Sequence, residues 1–250
     1  MANKDYKVPR SKTAPKIVNK SYFCVCMFDR YFHALATGSN TFDTMLSNLD
    51  QIFERLRNVG LMLKPEKNKL FRKELIYLGY ELSNKGLEIS PDKTEAITQM
   101  TTPKNKKEVK SFVEFCSFFR KFIKSFANIA RPLTELSKKD TRFKWGSEQQ
   151  NAFDQKLIEA PILKFPDRSE KFYLTCDASI AGIGCILQQK YDGNFLHPIY
   201  YASNALTKPQ KKWSSFQREF YALKFYCQKF RHFLVNNHFT VRTENQALEN

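Results

Sequence analysis

The sequence predicts an α+β protein with an α/β part: a hairpin and a run of helices, then an incomplete mixed sheet in the order β-β-β-α-β. Three observations lead there. Apolar residues recur at helical spacing in "TFDTMLSNLDQIFERLRNVG" and again in "KNKKEVKSFVEFCSFFRKFIKSF". From residue 171 onward, short β-branched and aromatic runs alternate with Gly, Asn and Pro turn signals, and one long helix interrupts them. Hydrophobic residues make up 42% of the 250, with 23 Phe and only 8 Gly, so the chain can bury a core and is not low-complexity.

Taken in order, residues 1–40 read as a basic, poorly ordered N-terminal arm, the first twenty of them Lys-rich and without apolar period. Met45, Leu46, Leu49, Ile52, Phe53, Leu56 and Val59 form one helical stripe, with Thr41 as its cap and Gly60 at its end. "LIYLGYELSNKGLEI" predicts a single hairpin turning at Ser-Asn-Lys-Gly, and Ser90-Pro91 opens the next helix.

After Pro103, Val109, Phe112, Val113, Cys116, Phe119, Phe122 and Ile123 make an apolar stripe. Lys104, Lys106, Lys107, Lys110, Arg120, Lys121 and Lys124 surround it. Those cations read equally as phosphate contacts or as an ordinary solvated face. A further helix runs over residues 126–137, bent or interrupted at Pro132. Ser147 and Gln150 predict a capping box, with Ala152, Phe153 and Leu157 facing inward and Pro161 ending the helix. Residues 164–170 read as a linker.

In the last part, "KFYLTCD", "AGIGCILQQ", "FLHPIYYAS" and "HFTVRTE" read as strands. Tyr191-Asp192-Gly193-Asn194 is a hairpin turn signal, and Pro198 marks a bulge or an edge. The long helix "SSFQREFYALKFYCQKFRHFL" lies between the third and fourth strands.

The bulk composition narrows function. Lys and Arg number 41 against 25 Asp and Glu, a formal charge of +16, which points to a polyanionic partner, usually nucleic acid. The six cysteines show no zinc-knuckle spacing and sit mostly in apolar runs, the pattern of reduced thiols in an intracellular protein. The apolar stretch "YFCVCMF" is far too short to span a bilayer.

Three acids stand where chemistry could use them. Asp177 ends the first strand of the last sheet, Glu219 lies in the long helix, and Glu244 ends the fourth strand. Brought together they would repel unless a cation held them, and oxygen ligands of this kind suit Mg²⁺. On spacing alone the plainer reading leads: a turn acid, a surface helix acid and a loop acid.

From residue 41 onward the sequence resembles the gypsy-type retroelement polyprotein, across the end of the reverse transcriptase and into ribonuclease H. Five stretches carry the resemblance in the family's order. "GLMLKPEKNKLF" and "YLGYELSNKGLEISPDKTEAI" resemble the end of the palm and its hairpin. "PKNKKEVKSFVEFCSFFRKFI" resembles the thumb helix, and "FKWGSEQQNAFDQKLIEAPIL" the connection. "TCDAS…GIGCILQQ…HPIYYAS…REFYAL…FTVRTENQAL" resembles the nuclease.

The resemblance implies a domain order: residues 41–100 as the end of the palm, 101–165 as thumb and connection, and 166–250 as a C-terminally truncated ribonuclease H-like domain. It implies that Asp177 and Glu219 bind metal and act catalytically. Glu244 would stand as a third ligand where the family has Asp, one methylene longer. The family's fourth acid would lie beyond residue 250. The implied cofactor is Mg²⁺ or Mn²⁺, the implied substrate an RNA–DNA hybrid or duplex, and a protein partner could cover the truncated sheet; no membrane is implied. Counting back to the family's paired polymerase aspartates reaches His33 and Ala34, and the nearest acid, Asp29, adjoins Arg30, so the chain is not expected to polymerise DNA. Three functions then compete: a hybrid-binding module without efficient cleavage, a slow ribonuclease H-type endonuclease, and a protein-interaction module or decayed reading frame.

Overall fold

The computed structural model describes residues 22–27, 34–155, 161–191 and 195–243. Its first strand, β1 (Tyr22–Met27), is apolar on both faces, and both faces are covered. Phe23 and Val25 pack with Leu75, whereas Cys24 and Cys26 pack with Met45 and Leu49 of helix α1 (Phe42–Asn58). β1 lies between β2 (Ala34–Ser39) and β3 (Lys69–Arg72), antiparallel to each. The reading of residues 1–40 as an unstructured arm therefore fails for 22–27 and 34–39. A short run that is apolar at successive positions makes a strand buried on two sides, not a charged tail. Asp29, Arg30 and His33 lie outside the described residues, and Ala34 opens β2 opposite Met27.

Thr41 caps α1 as predicted, its Oγ1 accepting the Thr44 N–H at 3.2 Å, and Gly60 follows the helix end at φ 67°. The stripe is covered only in part: Met45 and Leu49 are buried, but Leu46 and Val59 are exposed. The stretch predicted as one hairpin makes two. Strands β4 (Leu75–Tyr77), β5 (Tyr80–Ser83) and β6 (Gly86–Ile89) form an antiparallel sheet in that order. The extra turn sits at Leu78 and Gly79, with φ of 51° and 75°. A Leu in the left-handed region is uncommon, so residue type concealed it.

Helix α2 (Pro91–Thr98) opens at Ser90-Pro91 as predicted. Helix α3 (Lys106–Phe118) starts at Asn105, whose side chain accepts the Glu108 N–H at 3.0 Å. It stops at Phe119, earlier than the stripe suggests. A 3-10 turn over 120–122 and Ser125 at φ 54° lead into α4 (Phe126–Ile129) and α5 (Arg131–Leu136), with Pro132 in the first turn of α5. The break divides the stripe between two cores. Val109, Phe112 and Cys116 pack with Leu133 and Phe153, whereas Phe119 and Phe122 pack with Ile97 and Leu163.

The cap of α6 (Ser147–Asp154) lies one residue before the predicted place: Gln149 Oε1 accepts the Gly146 N–H at 3.1 Å. Gln150 is taken up elsewhere, accepting from Trp145 Nε1 at 2.8 Å and donating to Asp154 at 2.9 Å. Ala152 and Phe153 are buried as predicted; Leu157 lies outside the described residues.

The segment read as a linker is a strap. Leu163 and Leu87 exchange two backbone hydrogen bonds, 2.8 and 3.0 Å, and Lys164 N–H donates to the Pro198 carbonyl. Asp167 is buried, its N–H donating to Gln189 Oε1 while Gln189 Nε2 donates to its carbonyl.

The strap enters a four-stranded sheet in the order β10-β7-β8-β9. Its strands are β7 (Phe172–Ala178), β8 (Gly182–Tyr191), β9 (Phe195–Ala205) and β10 (Phe239–Arg242). β7, β8 and β9 are antiparallel neighbours; β10 runs parallel to β7 and is reached through α7 (Ser215–Lys229) and α8 (Arg231–Leu234). This is the predicted β-β-β-α-β order. The predicted irregularity at Pro198 is a bulge: the register passes from Leu187↔Tyr200 to Gln188↔Pro198. Phe172, Leu174 and Cys176 of β7 meet Ala222, Tyr226 and Phe230 in one core.

Candidate metal and nucleic-acid site

Strand β7 alternates. Phe172, Leu174 and Cys176 are buried, and Tyr173, Thr175 and Asp177 take the positions between them. The period of two explains why an apparently buried strand closes on a carboxylate: Asp177 belongs to the other face, at the strand end, and is exposed. Opposite it on β8 is Gly184, which places no side chain beside it. The Asp177 carboxylate has no hydrogen-bond or ion-pair partner among the described residues.

Helix α7 delivers Glu219. Ser214 and Gln217 form a reciprocal capping box, with bonds of 3.2 and 2.9 Å, that sets where the helix begins. Glu219 falls on the same side as Ala222 and Tyr226 and is only 8% exposed. Its Oε1 accepts the Ala178 N–H at 3.2 Å, so its carboxylate sits against the peptide that links Asp177 to Ala178. Burying a carboxylate is costly unless hydrogen bonds or a cation compensate. The structure thus sets Glu219 against the peptide that follows Asp177, so two of the three predicted acids belong to one end of β7. Glu244 lies outside the described residues.

Two hard oxygen donors, one exposed and one braced by an amide, suit a divalent cation such as Mg²⁺ in kind. Among the described residues, no group of three or more His, Cys, Asp or Glu side chains is placed to hold a metal ion.

The predicted cations divide. Lys104, Lys107, Lys110 and Lys124 are exposed, with Lys110 in a 3.8 Å surface pair with Glu114. The other three are engaged by the protein itself. Lys106 Nζ donates to the Lys138 and Lys139 carbonyls at 2.8 and 2.9 Å. Arg120 donates to the Ser203 carbonyl and lies over the Phe126 ring. Lys121 Nζ lies 3.9 Å from the Tyr80 ring centroid, and burial lowers its pKa to about 8. Arg120 therefore ties the helical region to β9, and Lys121 ties it to β5. Sequence reasoning missed this, although both residues stand at the break where α3 gives way to a tight turn.

Comparison with known proteins agrees with the fold. Residues 145–241 match the family described as the RNase H-like domain found in reverse transcriptase. The chain is 36% identical over 207 residues to the retrovirus-related Pol polyprotein from transposon 412 of Drosophila melanogaster, covering 82% of this chain and 17% of that protein. To the corresponding polyprotein of transposon 297 from the same organism it is 30% identical over 222 residues, covering 87% of this chain and 20% of that one. The chain thus spans a fifth or less of the length of these relatives. The foamy viral protease-reverse transcriptase, solved in complex with RNA/DNA hybrid, superposes with a TM-score of 0.74 at 17% identity, over 94% of this chain and 40% of that one. The protein carries an RNase H-like domain of the reverse-transcriptase kind. Its relatives are the Pol polyproteins of gypsy-type LTR retrotransposons.

Proposed function

We propose that the chain binds an RNA–DNA hybrid and holds a divalent cation between Asp177 and Glu219, against a phosphate of the bound duplex, without efficient hydrolysis. The observation that carries this reading is an exposed Asp177, without a side-chain partner among the described residues, next to the peptide on which Glu219 is braced. A charge of +16 and four exposed lysines from Lys104 to Lys124 support a phosphate backbone as the ligand. The foamy viral relative in fold was solved with an RNA/DNA hybrid, which agrees with that choice. Among the described residues no helix is long and apolar enough to cross a membrane.

Asp177 and Glu219 would hold Mg²⁺ or Mn²⁺, with Glu244 as the third ligand. Arg242 pairs with Thr175, and two residues further along each sequence come Glu244 and Asp177. A bound divalent ion would supply charge neutralisation at a phosphodiester. Glu219 contributes a fixed carboxylate and Asp177 an accessible one. The longer arm of Glu244 compared with Asp supports binding over efficient cleavage, because such ligands must be placed to a few tenths of an ångström. The domain order, palm end over 41–100, thumb and connection over 101–165 and nuclease from 166, belongs to the same proposal.

A second reading, slow Mg²⁺-dependent cleavage of the RNA strand, is favoured by the bracing of Glu219, which holds one ligand ready. One experiment separates the two: a labelled hybrid is incubated with the protein and Mg²⁺ or Mn²⁺, and retention and RNA integrity are read in the same samples, with Asp177→Asn alongside. Retention without cleavage supports the first reading; cleavage that Asp177→Asn abolishes supports the second. No retention overturns both.

A further inference from the structure

Between the helical region and the last sheet lies a groove of about 1220 Å³. Its cations are Arg131, Lys138, Arg142, Lys144, Lys208 and Lys211. They come from α5, from the loop before α6 and from the loop between β9 and α7, segments up to 80 residues apart that the fold brings to one place. Two carboxylates line it, Glu135 and Glu148, and Glu135 is already paired with Lys138. Arg131, Arg142, Lys144, Lys208 and Lys211 have no ion-pair partner among the described residues. Like charges gathered along one depression raise each other's field and the local concentration of anions. The groove is wide, and beside the apolar surface of Pro132, Leu136 and Leu206 it presents those six cations.

The position of the groove decides which polyanion. Its wall on the last sheet includes Ala205 and Leu206. Ala205 pairs with Gly182, and the Leu206 N–H donates to the Ala181 carbonyl at 3.3 Å, four residues past Asp177. One wall of the groove therefore belongs to the end of the sheet where Asp177 is exposed.

We propose that this groove is a phosphate-backbone track for the nucleic-acid duplex. It rests on the functional reading above and adds the path that the duplex takes: along α5 and the β9–α7 loop, not only along α3. Arg131, Arg142, Lys144 and Lys208 supply the phosphate contacts.

The test measures affinity of the full chain for a labelled RNA–DNA hybrid across a salt series. The groove variant carries Arg131→Gln, Arg142→Gln, Lys144→Gln and Lys208→Gln. These side chains are exposed, so folding is retained, and an unchanged thermal melt checks it. A second variant replaces Lys104, Lys107, Lys110 and Lys124 by Gln. The expected result for the groove variant is an affinity loss of at least about tenfold at low salt. The slope of log K against log salt should be shallower by about 3.6, since each of four lost phosphate contacts contributes roughly 0.9. Wild-type affinity and slope in the groove variant, with loss confined to the α3 variant, would overturn the groove and leave hybrid binding standing. If the wild-type chain binds no hybrid, the functional reading falls and the groove falls with it.

Discussion

Glu219 Oε1 lies 3.2 Å from the backbone nitrogen of Ala178, and that amide is the one that follows Asp177. A helix capped at Ser214 and a strand that alternates in burial thus meet at one peptide. The contact fixes the buried acid relative to the strand end that carries the exposed one.

Glu219 therefore has a structural role separable from its charge. Glu219→Gln keeps an acceptor for the Ala178 N–H and should stay close to wild type in chemical denaturation. Glu219→Ala leaves that amide without this acceptor and should cost about 1–3 kcal/mol. Both should abolish any effect of Mg²⁺ on hybrid affinity. Equal stability of the Ala and Gln variants would show that the hydrogen bond does not matter.

Gly86 holds the hairpin against the strap. Its φ is 140°, and a Cβ there would lie 2.3 Å from the Leu163 carbonyl oxygen. Gly86→Ala should destabilise the protein by about 2 kcal/mol or more. It should also speed amide exchange at Leu87 and Leu163, whose mutual hydrogen bonds depend on that approach. Unchanged exchange at those two amides would contradict the tie.

Lys121 predicts a pH dependence. Burial lowers its pKa from 10.5 to about 8. Between those values the unfolded chain holds a proton that the folded chain does not, so this group's contribution to stability rises with pH across that window. Cys26, raised to about 11 by burial, acts in the opposite sense above its ordinary 9.0, but equally in wild type and variant. The stability difference between wild type and Lys121→Met should therefore move in wild type's favour from about pH 8 to pH 10.5. A difference that stays flat would place Lys121 in solvent.

The last sheet was the most legible part of the sequence because its signals are local. The alternation of Phe172, Leu174 and Cys176, the hairpin before β9 and the proline in β9 each announce themselves within a few residues. The acids at Asp177 and Glu219 could be singled out, but only the resemblance joined them, since the contact of Glu219 with the Ala178 amide spans 41 residues. What stayed hidden depends on distant partners. β1 looked like part of a tail because the surfaces that cover it, Met45, Leu49 and Leu75, come later in the chain. Arg120 and Lys121 looked like phosphate ligands because a cation's composition does not reveal a carbonyl or a ring waiting for it. The groove cations went unremarked because they come from segments up to 80 residues apart and only the fold gathers them.

The most direct test of the account is a gel shift of a labelled RNA–DNA hybrid with wild type and Asp177→Asn, in Mg²⁺ and in chelator. The account predicts that Mg²⁺ tightens binding by wild type and leaves Asp177→Asn unchanged, with most of the RNA intact in the wild-type complex. Absence of a shift in wild type, or a Mg²⁺ effect of equal size in both proteins, would contradict it.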